Sequence, residues 1–320
     1  AYEIVSRDWS SDVCSSDLHD VTVRNRCTEP VREEGVDWDS LDAGVPQSAD
    51  LYIAYRAHNL LPMVPRARRR LFWIQNPARY LLKWRYLSKL FRLKPVVVFT
   101  SLYHADTYPA WAPDGGRVVI PLGVSGSFTE LDPPDEPPPP RALFVSNPMR
   151  GLDWLLTLWA RYIHPRMPTA ELHVFSGAAT YGAYGESKAK EMEPILEYAR
   201  QLADRGVVLR PPVSKAVLAD EMRAARVLVY RGDKEETFCF AVAEAQAAGL
   251  PAVVGPYGCM AERVADGETG FVEGDERLFG DKTLALLTDD RLWRRMSQRA
   301  LERQRAWGWD KAAKAFEKLI

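Results

Sequence analysis

Downstream of Arg141 the chain alternates short Val- and Leu-rich runs with segments of helical spacing, a pattern that few folds accept. The runs are ALFVS (142–146), ELHVFS (171–176), VVL (207–209), RVLVY (226–230) and PAVV (251–254). Between the first two, Leu152, Leu155, Leu156 and Trp159 fall at i, i+3, i+4 and i+7 and share one helical face. Strands alternating with helices imply right-handed crossovers and a parallel sheet covered on both sides. Near-continuous apolar strands are what a sheet buried on both faces requires. The first half repeats this grammar in HDVTVRN (19–25), ADLYIAY (49–55), RLFWIQ (70–75), PVVVFTS (95–101) and GRVVIPL (116–122). LDPPDEPPPP (131–140) can form neither helix nor internal strand and is expected to be an extended linker. The expected architecture is α/β: two Rossmann-like domains joined by that linker, with a cleft between, and a closing helix in WGWDKAAKAFEKLI.

Composition narrows the class. A chain of 320 residues with 47% hydrophobic residues and a net charge of −1 is globular and ill suited to general nucleic-acid binding. No apolar run approaches the roughly 20 residues that span a bilayer. Cys14, Cys27, Cys239 and Cys259 lack any C-x-x-C spacing, so neither a zinc site nor a disulfide framework is expected. That predicts a reducing compartment, the cytoplasm.

In open parallel sheets, ligands bind at the carboxyl ends of the strands. Those ends carry Ser146-Asn147-Pro148, Ser176-Gly177, Arg210-Pro211, Arg231-Gly232-Asp233 and Gly255-Pro256. Helix starts after Arg150-Gly151 and near Phe238 offer unpaired N–H groups and positive dipole to a phosphate. Arg150 adds a full charge, although position alone leaves open a solvated surface arginine. Glu244 lies within the small, apolar FAVAEAQAAG, where a lone carboxylate is costly, so it needs an internal donor or ligand hydroxyls as partner. Glu236 suits the cleft end of the same segment, or is simply a carboxylate at a helix start.

Two further features invite stronger readings. Asp37-Trp38-Asp39 has the D-x-D spacing of a metal–diphosphate site, but it sits in a polar stretch and is expected to be a surface turn. Arg66 to Lys94 carries ten Lys/Arg and no acid. On a helical wheel Arg85, Lys89 and Arg92 face one way, with Trp84, Leu87 and Phe91 opposite. Residues 80–94 could therefore dock on an anionic membrane, or merely cover a sheet with a solvated charged face.

EETFCFAVAEAQAAGLPAVV followed by PYGCMAERVADGETGFV resembles the donor-binding half of retaining glycosyltransferases of family 4, which have the GT-B fold. Glu236 and Glu244 match that family's E-x7-E motif. SNPMRGLDWLLTLW resembles its phosphate-binding strand–loop–helix, with Arg150 at the basic position before Gly151, and Asp266–Gly270 (DGETG) matches a further signature. The resemblance implies an acceptor-side domain over 1–130, a linker over 131–140, a nucleotide-sugar domain over 141–300 and a crossover helix over 301–320. It implies transfer of a sugar from a nucleotide-diphosphate donor to a glycan or lipid-linked acceptor, as in cell-surface polysaccharide synthesis, without a bound metal or cofactor. Arg150 would neutralise the diphosphate, Glu236 would contact the transferred sugar and Glu244 would hold the ribose hydroxyls. Ser146, Asn147, Gly151, Thr237, Phe238 and Cys239 would line the donor site, and Arg210 and Val213 would lie beside the base.

Departures from the family pattern are specific. Ser146-Asn147 replaces a common Gly-Arg, so a second phosphate cation is missing or supplied elsewhere. Cys239 stands where Gly is usual after Phe238. Gln75 stands in the first domain where many members carry a His, with His58 nearby as a substitute. Lipid-linked acceptors would suit a peripheral location on the inner face of the cytoplasmic membrane. Alternatives are a nucleotide-sugar epimerase of the same fold, a non-catalytic nucleotide-sugar binder and an inactive fragment.

The N-terminal stretch RDWSSDVCSSDL (7–18) has no apolar periodicity. Read as codons, Asp8 to Leu18 resembles a widely used sequencing adapter. Ala1 to Arg7 resembles the later part of the family's first helix, and the first glycine is Gly35. The expectation is an N-terminally incomplete first domain that lacks its first strand and glycine loop.

Overall fold

The computed structural model describes residues 19–27, 29–33, 36–134, 136–178 and 182–320. The stretch 7–18 with Cys14, the preceding 1–6, and Gly35 lie outside them. The chain forms two compact units, one running through Gly123 and including Trp307–Ile320, the other comprising Val124–Ala306.

The first unit holds two sheets. Strands β1 (Thr22–Asn25), β2 (Val31–Glu33) and β3 (Val36–Ser40) form one sheet in the order β1-β3-β2, with β1 parallel and β2 antiparallel to β3. Asp37 and Asp39 therefore lie in a strand, correcting the expected surface turn. That strand pairs with β1, and Arg24 and Arg32 form ion pairs with Asp39 and Asp37. Their carboxylates are used in local ion pairs. Strands β4 (Ser48–Tyr55), β5 (Arg66–Trp73), β6 (Val96–Phe99) and β7 (Arg117–Val119) form a second, fully parallel sheet in sequence order. Phe72, Val97 and Phe99 are buried in its core with Leu61 and Leu90.

Helix α1 (Trp84–Leu93) covers this sheet with Tyr86, Leu90 and Leu93, not with the Trp84 and Phe91 side. Those two residues are 81% and 69% exposed. Successive residues are 100° apart on a helix, so the core takes one arc and leaves the aromatic and basic arcs both outside. Helix α2 (Leu102–Asp106) starts at Ser101, whose hydroxyl accepts from His104 N–H.

The second unit contains one six-stranded sheet of β8 (Arg141–Val145), β9 (Glu171–Phe175), β10 (Val207–Arg210), β11 (Val227–Tyr230), β12 (Ala252–Val254) and β13 (Gly270–Val272). Its order is β10-β9-β8-β11-β12-β13 and every pair is parallel. Helix α3 (Gly126–Thr129) precedes the sheet, and α4 (Leu152–Leu158) follows β8 and continues through a π turn over Trp159–Ile163. Leu152, Leu155, Leu156 and Trp159 are all fully buried, so the apolar face expected from their spacing packs as a face. Helices α5 (Gly182–Gln201), α6 (Lys215–Arg223), α7 (Phe240–Ala247), α8 (Met260–Arg263), α9 (Glu276–Thr288) and α10 (Asp290–Arg305) complete the unit.

The proline run belongs to this unit and is not its boundary. Its carbonyls still accept hydrogen bonds, and Arg226 Nε donates to Pro138 at 2.6 Å while Arg305 donates to Leu131 at 2.7 Å. The chain passes back to the first unit at Trp307. There α11 (Trp309–Glu317) packs Phe316 on Trp73, with ring centroids 4.7 Å apart.

Candidate functional site

The strand order of the second unit reverses between β8 and β11, and a crevice opens outside the carboxyl ends of strands at such a reversal. Two loops leave from this point. The Ser146–Gly151 loop is folded on itself: Asn147 Oδ1 accepts from Met149 N–H at 2.9 Å, and Arg150 N–H donates to Asn147 O at 3.0 Å. Asn147 is thus a buried turn-former. Gly151 caps α4 in a left-handed conformation (φ 81°), and a Cβ there would press on the Arg231 side chain at 3.2 Å. Ser176 Oγ donates to the Ser146 carbonyl at 2.5 Å, tying the loop to the end of β9.

The second loop carries Glu236. The residue is 7% exposed, and one carboxylate oxygen receives both the Arg150 guanidinium and the Tyr230 hydroxyl, the latter at 2.6 Å. A carboxylate this buried must be paired, and here it has two donors. Burial pushes the Tyr230 phenol well above its ordinary range, so it is a proton donor at any physiological pH. Thr237, Phe238 and Cys239 follow and are buried. Cys239 adopts the left-handed conformation (φ 62°) that glycine usually supplies, and serves as the cap of α7 without a side-chain bond. Burial pushes its thiol and that of Cys259 up to about 12, so neither is a nucleophile.

Glu244, one turn into α7, is also 7% exposed, and Lys215 Nζ lies 3.1 Å from it at the start of α6. The internal donor required by its burial is therefore a lysine at the far end of the loop between β10 and α6. That loop begins at Arg210, whose buried Nε has no hydrogen-bond partner among the described residues, and continues to the exposed Val213. Asp266 accepts from Val272 N–H at 2.9 Å and Thr269 from Gln246 Nε2 at 3.0 Å, so the DGETG segment braces α7 against β13.

Three residues that the motif reading did not single out join this site. Tyr230 and Lys215 are the partners of the two glutamates. Arg231 lies over Trp154 and Tyr257, 5.1 and 5.7 Å from the ring centroids, beside Gly151. The available signal was a tyrosine and an arginine closing an otherwise apolar strand. His58 and Gln75 belong to the first unit. The His58 ring packs edge-on against Tyr86 at 4.1 Å, and its pKa is lowered by burial and then by Lys89 and Arg85. Gln75 follows the end of β5. Among the described residues no three His, Cys, Asp or Glu side chains are arranged to hold a metal ion.

Two α/β units built on parallel sheets give the chain the GT-B type of glycosyltransferase fold. Residues 139–289 match the family model described as Glycosyl transferases group 1. A D-inositol 3-phosphate glycosyltransferase of Streptomyces avermitilis is 39% identical over 137 residues, which is 42% of this chain and 29% of that protein. The Kribbella flavida protein of the same name is 30% identical over 170 residues, 52% of this chain and 39% of its own length. The chain thus matches well under half the length of these curated relatives. Among solved structures, sucrose-phosphate synthase from Thermosynechococcus elongatus superposes with a TM-score of 0.64 at 20% identity, covering 84% of this chain and 72% of its own. Anabaena Alr3699/HepE, solved with UDP and glucose, gives 0.66 at 13% identity, covering 84% and 77%.

Proposed function

We propose that this chain is a retaining glycosyltransferase of family 4 that moves a sugar from a nucleotide-diphosphate donor to a glycan or lipid-linked acceptor in cell-surface polysaccharide synthesis. The observation that carries this reading is the meeting of Arg150 and Glu236 at the β8/β11 reversal. A diphosphate entering there competes with Glu236 for the guanidinium, and the freed carboxylate faces the sugar. Negative charge grows on the departing diphosphate, and a preorganised guanidinium beside helix N–H groups stabilises it without solvent reorganisation. That equipment works without a resident metal or cofactor, so transfer should survive EDTA. Glu244, beside Lys215 near the same site, would hold the ribose hydroxyls. A thermal-shift panel of UDP-, GDP-, ADP- and dTDP-sugars tests the donor site. One donor should stabilise the chain and be turned over; stabilisation by none refutes the reading.

The exposed Trp84 and Phe91 beside Arg85 and Arg92 favour a second element of this proposal, peripheral attachment at the inner face of the cytoplasmic membrane. Interfacial aromatics next to basic residues suit an anionic headgroup layer. No helix of the described residues is long and apolar enough to cross a membrane. Flotation with vesicles of anionic and of neutral lipid tests the attachment, which is refuted if the chain binds neither.

A further inference from the structure

We propose that Tyr230 is a positioning residue for Glu236: its hydroxyl keeps the carboxylate in place once a donor diphosphate has drawn Arg150 away. The inference rests on the donor-site reading above and extends it to a residue outside the family motifs.

One carboxylate oxygen of Glu236 accepts from both Arg150 and Tyr230. The two donors differ in freedom. The Arg150 side chain is 39% exposed, on a loop, and able to follow an arriving anion. Tyr230 is 1% exposed at the end of β11, a strand buried along its whole length and paired on both sides by β8 and β12. Its ring packs at 6.0 Å from Phe144, so the hydroxyl stays where the strand puts it. When the guanidinium leaves, Glu236 at 7% exposure would be a nearly buried, uncompensated charge. Such a group takes up a proton or swings toward water. A fixed, protonated phenol donating at 2.6 Å opposes both. It holds one oxygen and leaves the other to face the sugar. The importance of the hydroxyl therefore grows on donor binding.

Tyr230→Phe removes the oxygen and keeps the ring in the core. The Glu236 carboxyl is titrated by 13C NMR in wild type and Tyr230→Phe, each free and saturated with the best-binding nucleotide diphosphate of the panel. The expected result is a Glu236 pKa raised by about one unit in the bound variant relative to the bound wild type, the size of one lost hydrogen bond. The difference between the free proteins should be smaller, because Arg150 is still in place. If the donor is turned over, kcat should fall about tenfold while KM for the donor changes less than about twofold. A difference that does not grow on binding, or a rise in KM with kcat unchanged, overturns the proposal. A wild-type chain that binds no nucleotide removes the donor-site reading itself, and Tyr230 loses its role with it. Normal binding with no Tyr230 effect removes this inference alone.

Discussion

The Arg150 guanidinium and the Glu236 carboxylate, 86 residues apart in the chain, meet at the reversal of strand order in the second unit. Each arrives on its own loop, from β8 and from β11, and the parallel pairing of those two strands brings them together. Because Arg150 is half-exposed and Glu236 nearly buried, the two removals should differ. Arg150→Ala should lower transfer about 100-fold or more, the scale of losing one transition-state charge donor, and abolish the donor-induced thermal shift. Glu236→Ala should lower turnover comparably while keeping diphosphate affinity, since Arg150 is then unopposed. Unchanged transfer in both would exclude this site.

Lys215 and Glu244 make a pair that is closed on the glutamate side and open on the lysine side. Lys215→Met should destabilise the second unit by about 1–2 kcal/mol, less than a fully buried pair because the lysine is solvated. Lys215→Met with Glu244→Gln should recover most of that loss. Urea unfolding of the two singles and the double forms the cycle, and strict additivity would show that the pair contributes nothing.

His104 sets a pH dependence in the first unit. It is fully buried, its Nδ1 accepts from Thr100 N–H at 3.2 Å and Nε2 donates to Asn76 O at 2.9 Å. A second proton on Nδ1 would break the bond from Thr100 N–H and leave only the Thr100 hydroxyl, 3.0 Å away, to accept it, and burial lowers the pKa from 6.5 to about 4. The unfolded chain therefore binds the proton first. The stabilisation is complete above pH 6.5, falls as pH drops toward 4, and amounts to about 3 kcal/mol. Melting temperature measured across pH 7 to 4 should fall in that window, and His104→Gln should flatten the slope.

Trp84 and Phe91 contribute little to the core that α1 covers. Replacing both with Ala should change stability by no more than about 0.5 kcal/mol and should abolish flotation with anionic vesicles. Arg85→Glu with Arg92→Glu should do the same at low salt. Retained flotation in both would place membrane contact elsewhere.

Much of the fold was legible because burial on both faces of a parallel sheet forces continuous Val- and Leu-rich strands, as in RVLVY and PAVV. The short β13 and the polar β3 were not, because three residues carry no period and the Asp37-Trp38-Asp39 strand is defined by its pairing with β1. The α1 pattern was legible as amphipathic, yet which arc faces inward was settled by Leu90, Tyr86 and Leu93 against the sheet. In the site, the cost of burying Glu244 announced that it had a partner, but not that the partner is Lys215.

By itself, then, the sequence determined the α/β alternation and the apolar face of α4, which follow from local spacing, while the two glutamates and Arg150 were singled out by resemblance to a known family. Tertiary structure alone decided the strand order, the meeting of Arg150 with Glu236 and the role of Tyr230 as its second donor. It also drew the proline run into the second unit through Arg226 and Arg305. Those contacts join residues far apart in the chain, and only the packing of the sheet determines which distant side chains share one place.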